Sequence, residues 1–487
     1  MTVPALIGID IGTTAVKAVL ADLTGTRLDS FARGYETLRP GPGLVEQDPA
    51  DWMALVNAAL AQFAAHRTQV QAIGITSQVN THVFCDANLQ PLCPAIVWQD
   101  GRATKTGAAL DSRLTTDAKI KALGAPIPID GSHALARMGW MAVKHPDIWA
   151  RTSHVLLPKD YVIAQLTGGI SADPIAAVGL VGTDLRYAAA VTDLLDGAAS
   201  RLPVLADPLE IAGLVRSGPF AGVSVITGTM DAWAAMFGTG MAQDGQAMNL
   251  SGTSEVLGLI SAIRNPVPGV ITFPAWRGIT LHAAPTQAGG ASLDWLGRVM
   301  GQDAAALASL APGGWISATT PLFLPHLAGE RAPLWDIQAR GVFAGLSGAA
   351  SAQDLVLSVM EGVACSARLA LESLDMAGGV VAAEVRLGGG GTVSDIWCQI
   401  RADTLGRDMV RMQAQDAGAV GAMVMAGVGA GVMSDLATAA SALVPVDRRF
   451  CPDPVMRGLA DRRFAIWKDL YQQVRPINAA LHDLAVS

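Results

Sequence analysis

The chain has 487 residues, 51% hydrophobic and 16% charged, and its 34 Lys and Arg against 42 Asp and Glu give a net charge of −8. It is long enough for two to three domains with real cores and too apolar to be a disordered acidic tail. A net negative sequence without a Lys/Arg run lacks the electrostatic footprint of a nucleic-acid binder, which leaves small molecules as the expected partners.

The first residues carry no basic stretch and reach an acid at Asp10, so no signal peptide is expected. Residues 5–10 read as a buried strand, Gly12-Thr13-Thr14 as a tight turn and residues 16–21 as a second strand; after a turn at 22–25, residues 28–35 supply a third. Asp48-Pro49 opens a helix on which Trp52, Val56, Ala59, Leu60 and Phe63 follow helical spacing. Residues 72–76, 83–85 and 95–98 read as strands, and helices follow Thr106. An apolar run at 223–226 leads through a Gly-Thr turn to Asp231 and a helix over 232–237. Gly289-Gly290 leads into a helix carrying Asp294, and a strand over 383–387 runs through Gly388–Gly391 into a helix beginning near Ser394 or Asp395. The uncharged run 417–433, with five glycines, falls short of the roughly 20 strongly apolar residues of a membrane span and reads as a buried, closely packed helix. The five cysteines form no C-x-x-C pair and point to a reducing cytoplasm.

Residues 9–20, IDIGTTAVKAVL, and 249–260, NLSGTSEVLGLI, share Gly12/Gly252, Thr13/Thr253, Thr14/Ser254 and Val16/Val256 at a constant offset of 240. A motif this short recurs by chance; the other reading is two similar domains, each presenting a turn whose N–H groups and hydroxyls suit a phosphate. The expected division is 1–242 and 243–487, with a hinge in the small residues 238–245. The run Gly388–Gly391 lets backbone approach a ligand closely, though such runs also serve as plain turns. No G-x-x-x-x-G-K-[ST] occurs and no G-x-G-x-x-G follows a strand, which excludes a P-loop and weakens a dinucleotide reading. Asp231 stands where a strand end delivers a carboxylate; from the residues alone, capping the next helix is the simpler role.

The segments IGIDIGTTAVKAV (7–19), EQDPADW (46–52), AIVWQDGR (95–102), LLPKDYVIAQLTG (156–168), GTMDAW (228–233), LSGTSEV (250–256), LPHLAGERAPLWDIQARGVFAGLS (324–347) and GGGTVSDIW (389–397) resemble the FGGY family of carbohydrate kinases. The Gly-Glu-Arg-Ala-Pro block is the most specific of them. The resemblance implies an α/β fold of two ribonuclease-H-like domains of the actin, hexokinase and chaperone ATPase superfamily, with ATP and sugar in the cleft between them. The N-terminal domain would bind sugar and phosphate, the C-terminal domain nucleotide. It also implies ATP-dependent phosphorylation of a terminal hydroxyl of a ketose, xylulose-like, or of a polyol.

By the same resemblance Asp231 matches the family's catalytic aspartate, accepting the hydroxyl proton as phosphoryl transfer proceeds. Asp10 is assigned to Mg²⁺ through water. Gly12, Thr13, Thr14 and Thr253 are expected at the phosphates, with Lys17 either neutralising charge or simply solvated. Gly290, Asp294, Gly390, Gly391 and Asp395 match positions beside the nucleotide, the two acids serving otherwise as helix-start residues. The sugar pocket departs from the family pattern: after Gln78, Val79-Asn80 stands where xylulokinases often have Met-His and glycerol kinases Arg-Glu. Trp98 offers an apolar face to sugar C–H groups or packs in the core. Ala232 stands where Asn or Gln is common, and Arg137 where Lys is usual; His133 and Glu255 are further pocket candidates. These departures bear on the substrate rather than the reaction. The alternatives are a kinase for ribulose, glycerol or erythritol, and an actin- or chaperone-like ATPase acting on a protein partner, against which the Gly-Glu-Arg block and Asp231 speak. The expected partners are a small-molecule sugar and ATP, with neither nucleic acid nor membrane, and assembly as a homodimer.

Overall fold

A computed structural model describes residues 3–303, 306–307, 316–413 and 416–486. They divide into two compact units, Met1–Gly240 with Asp416–Val444, and Met241–Gln415 with Pro445–Ser487. The break after Gly240 sits beside the boundary expected at 242. The stretch Asp416–Val444, expected with the C-terminal domain, instead packs in the first unit.

The first unit is built on strands β1 (Ala5–Ile11), β2 (Ala15–Asp22) and β3 (Arg27–Gly34), helix α1 (Pro49–Gln62), β4 (Val70–Ser77), α2 (Ala134–Lys144), α3 (Pro158–Thr167), β5 (Ile211–Leu214), β6 (Ser224–Ile226) and α4 (Asp231–Gly238). The sheet order is β5-β6-β4-β1-β2-β3; β1, β4 and β6 run parallel, and the other pairings are antiparallel. Asp48 caps α1 by accepting the Ala50 N–H at 2.8 Å, and Pro49 takes the first helical position. Strand alternation sends Ile7, Ile9 and Ile11 to one face, where they form a core with Trp52, Val56, Phe63 and Val162.

In the second unit, β7 (Ala247–Ser251), β8 (Glu255–Ile260), β9 (Ile271–Thr272), β10 (Leu281–Pro285), α5 (Gly290–Met300), α6 (Ala352–Gly378), β11 (Glu384–Gly388), α7 (Asp395–Leu405) and β12 (Asp408–Met412) are followed later by β13 (Val446–Phe450). The sheet order is β9-β10-β8-β7-β11-β12-β13, with β7, β11 and β12 parallel. The hairpin β7–β8 repeats β1–β2 at the offset of 240, with a tighter turn: Gly12 N–H meets the Ala15 carbonyl at 3.1 Å, whereas Gly252 N–H meets that of Ser254 at 2.9 Å. A Ser351/Asp354 capping box opens α6, which buries Val356, Met360, Val363 and Leu371 in this unit's core.

The apolar run of the sequence forms α8 (Ala417–Gly429), buried along nearly its whole length in the first unit. Helix and sheet meet there with no side chain between their backbones. A Cβ on Gly8 would lie 1.8 Å from the Ala419 carbonyl oxygen and one on Gly74 1.9 Å from that of Ala422. The same closeness joins α8 to α4, where a Cβ on Gly421 would lie 1.6 Å from the Ala234 oxygen. Among the described residues no helix is long and apolar enough to cross a membrane.

Candidate active site

The parallel strands β1, β4 and β6 end at one edge of the first sheet, the edge at which open α/β sheets bind ligands. Asp10 lies one residue from the end of β1, and the turn after β6 carries the chain to Asp231. Gly228 takes a positive φ of 66° in that turn, and a Cβ on it would stand 2.1 Å from the Ile75 carbonyl oxygen. The Thr76 hydroxyl donates to the Thr229 carbonyl at 2.6 Å, so the turn is fastened to β4. Met230 occupies the N-cap position of α4, and Asp231 is the first helical residue, accepting the Ala232 N–H at 2.7 Å. The carboxylate therefore sits in the helix's first turn, where the dipole favours its charge. Burial outweighs this and lifts Asp231 to about 6. Asp10 is lifted further, to about 7, first by burial and then by the Asp231 charge, with Lys17 opposing; its Oδ1 is buried and has no partner among the described residues. Gly418 makes room for it, since a Cβ there would lie 2.4 Å from Asp10 Oδ2.

An acid whose folded pKa stands above its unfolded value costs stability as pH rises between the two. For Asp10 that window runs from 3.8 to about 7. Asp10→Asn is therefore expected to raise the Tm of the ligand-free protein at about pH 8, with the gain shrinking towards about pH 4; thermal melts of both proteins across pH check it.

Thr13 and Trp98 are linked to Gln78 through Gln47. The Trp98 indole N–H donates to Thr13 Oγ1 at 3.0 Å, Gln47 Nε2 to the Thr13 carbonyl at 2.8 Å, and Gln78 Nε2 to Gln47 Oε1 at 2.8 Å. Trp98 is 38% exposed, which sets it apart from core packing. Val79 and Asn80 are half-buried beside them in sequence, Asn80 with a φ of 55°. The buried Arg137 guanidinium takes the Asn80 carbonyl and donates also to Ile96 O (2.8 Å), Val97 O (2.6 Å), Gly131 O (3.3 Å) and His82 Nδ1 (3.0 Å). It thus ties the 80–82 segment to the strand that leads to Trp98. Burial, only partly offset by the Asp100 and Asp130 charges, lowers its pKa to about 9. His133 is buried as the N-cap of α2, its Nδ1 accepting the Leu135 N–H at 3.1 Å. Lys17, 45% exposed, reaches Asp416 at 3.2 Å. Ala232 is half-buried next to Asp231.

Sequence reasoning gave no role to Lys159, Asp160 and Asp173. All three are buried, with Lys159 Nζ 2.5 Å from Asp160, 2.9 Å from Asp173 and 3.3 Å from the Thr227 carbonyl; Asp173 also accepts the Thr229 hydroxyl at 2.7 Å. Against the burial that lowers it, the two carboxylates hold Lys159 at about 12. The cluster pins the turn that delivers Asp231. Its signal in the sequence was a Lys-Asp pair opening a helix after Pro158 that carries no other charge.

In the second unit the Gly252–Ser254 turn, the start of α5 and the glycine run meet. Gly290 N–H donates to the Gly252 carbonyl at 2.8 Å and Ala291 N–H to that of Thr253 at 3.1 Å. A Cβ on Gly391 would lie 2.2 Å from Ser251 Oγ, whereas Gly390 is exposed with nothing within 4 Å of such an atom. Thr253 is exposed, Asp294 is exposed on α5, and Asp395 is paired with Arg411 at 2.7 Å and with Arg448. Glu255 is committed beneath the turn: its Oε1 takes Arg401 Nη2 at 2.6 Å and the Ser251 hydroxyl at 2.7 Å, and Oε2 takes the Asn249 amide at 3.2 Å. Arg401 reaches on to the Gly391 carbonyl at 3.1 Å, so this fully buried pair braces the turn against the glycine run. Removing one partner strands a buried charge, and Arg401→Met is expected to cost about 3–5 kcal/mol in urea unfolding. The Gly-Glu-Arg block also reaches the turn, with Arg331 Nη2 3.2 Å from Ser254 Oγ.

The patterns that define the N-terminal and C-terminal domains of the FGGY family of carbohydrate kinases match residues 5–238 and 247–430. The chain belongs to this family. The kinase is 30% identical to the xylulose kinase of Escherichia coli strain K12, over 97% of its own length and 100% of that relative's. It is 29% identical to the glycerol kinase of Burkholderia cenocepacia strain HI2424, covering 95% and 96% of the two chains. The crystal structure of a xyloylose kinase from Brucella ovis matches it with a TM-score of 0.85 at 28% identity, over 97% of this kinase and 100% of that chain. The kinase has the two ribonuclease-H-like α/β domains that the sequence implies, and the two mixed sheets are their centres.

Proposed function

We propose that the kinase transfers the γ-phosphoryl group of ATP to a terminal hydroxyl of a ketose, xylulose-like, with Asp231 as general base. The observation that carries this reading is the Asp231 carboxylate at a parallel-strand edge, with one oxygen held by the Ala232 N–H and a pKa of about 6. Such a group is ionised at neutral pH yet basic enough to take the hydroxyl proton as the new O–P bond forms. The other carboxylate oxygen is left to meet the hydroxyl. Gln78 and the Val79-Asn80 segment supply polar contacts to the sugar, and Trp98 an apolar face for its C–H groups. Gly12, Thr13 and Thr14 receive the phosphates through backbone N–H groups and hydroxyls; Thr253, Gly290, Gly390 and Gly391 belong to the nucleotide.

Asp10 fits a Mg²⁺ ion held through water: its Oδ1 is a hard donor, buried and without a hydrogen-bond partner among the described residues, and Mg²⁺ keeps most of its waters. Bound Mg²⁺ supplies neutralisation of phosphate charge. Glu255 and His133, committed to Arg401 and to a helix cap, are left out of the pocket in this reading. Relatives named xylulose kinase and glycerol kinase bracket the substrate class. The Val79-Asn80 dipeptide favours a second reading within it, another ketose or polyol such as ribulose, erythritol or glycerol. Coupled ADP release measured over a panel of ketoses, aldoses and polyols tests both. A steep rise with one of these sugars supports the reading, and a flat response across the panel overturns it.

A further inference from the structure

The side-chain cation that the sequence offers for the phosphates, Lys17, has its ammonium on Asp416. We infer that Arg331 is the cation that meets the nucleotide's phosphates at the Gly252–Ser254 turn; the inference rests on the reading of that turn as a nucleotide contact. Arg331 Nη2 donates to Ser254 Oγ at 3.2 Å and to the Thr286 carbonyl at 2.6 Å, which holds the guanidinium against the turn beside the exposed Thr253.

Its charge is not consumed there. Among the described residues no carboxylate forms an ion pair with Arg331, and its buried Nε has no acceptor. The neighbouring Glu330 carboxylate is spent on His326 at 2.9 Å, the Ser366 hydroxyl at 3.1 Å, the Gln287 N–H and the Arg331 N–H at 2.9 Å. Those bonds fix the backbone from which the Arg331 side chain projects. Arg401 supplies the contrast, since it lies beneath the same turn and is neutralised there by Glu255. A guanidinium with no ion-pair partner among the described residues, beside a Gly-Thr-Ser turn, keeps its positive charge and its Nη1 donors for a phosphate oxygen.

Calorimetric titration of the full-length protein with ADP, AMP and adenosine tests this, using the wild type, Arg331→Gln and Arg331→Lys. Arg331→Gln is expected to weaken ADP by about tenfold or more and to leave adenosine within about threefold, with Arg331→Lys in between because it keeps the charge but not the guanidinium contacts to Ser254 and Thr286 that place it. An ADP affinity in Arg331→Gln within about threefold of wild type overturns the assignment, as does equal loss of ADP and adenosine, including loss through unfolding. Wild-type protein that binds neither ADP nor adenosine overturns the nucleotide reading itself, and so separates the two failures.

Discussion

Asp231→Asn is expected to lower kcat for sugar phosphorylation by about a thousandfold while leaving the KM for ATP within about threefold, because a positioned general base contributes roughly 10²–10⁴ to rate. Asn is the same size and can still accept the Ala232 N–H that anchors the carboxylate at 2.7 Å, so the geometry of α4 is kept. What it loses is the capacity to take a proton. The wild-type rate carries the same signature in pH. Burial holds Asp231 at about 6, so activity falls as pH drops through that value and the base becomes protonated. Steady-state kinetics of both proteins, with ADP binding as a control for folding, check the pair of expectations. Near-wild-type turnover in Asp231→Asn removes Asp231 from the chemistry.

Gly421→Ala is expected to destabilise the first unit severely, against the ordinary benefit of alanine in a helix. Replacing Gly by Ala inside a helix gains about 1 kcal/mol in intrinsic propensity. Here the new Cβ would lie 1.6 Å from the Ala234 carbonyl oxygen and 2.4 Å from its carbon, both backbone atoms of α4 that no rotamer change can move aside. Overpacking of a dense core costs about 1–3 kcal/mol and more where backbone must shift, so the overlap outweighs the propensity. The net loss of about 2 kcal/mol or more lowers Tm by roughly 4–8 °C, which a thermal melt resolves. A Tm equal to wild type contradicts the described seam between α4 and α8.

Local structure was legible in the sequence wherever it rests on local rules. Asp48-Pro49 starts α1, the Gly-Thr turns close both hairpins, and the glycine-laced run 417–433 forms a closely packed helix over Ala417–Gly429, ending four residues short of the run. The offset of 240 identified a repeated hairpin, but not its tighter second turn. It also could not tell that Asp416–Val444 returns to the first unit, because that depends on Gly8 and Gly74 accepting a helix backbone hundreds of residues away. The candidate site divides in the same way. Asp10 and Asp231 stood out as acids at strand ends, but from the residues alone Asp231 read as a helix cap, and its assignment as the base came from the family resemblance. Arg137 was visible only as a substitution, since four of its five acceptors are backbone carbonyls, which leave no trace in residue type. Glu255 read as a pocket acid because its partner, Arg401, lies far along the chain.

The fate of the γ-phosphoryl group tests the kinase reaction most directly. With γ-labelled ATP, Mg²⁺ and the ketose that the panel selects, label is expected on the sugar's terminal hydroxyl, formed only when sugar is present and lost in Asp231→Asn. Label released as inorganic phosphate at the same rate with and without any sugar contradicts it.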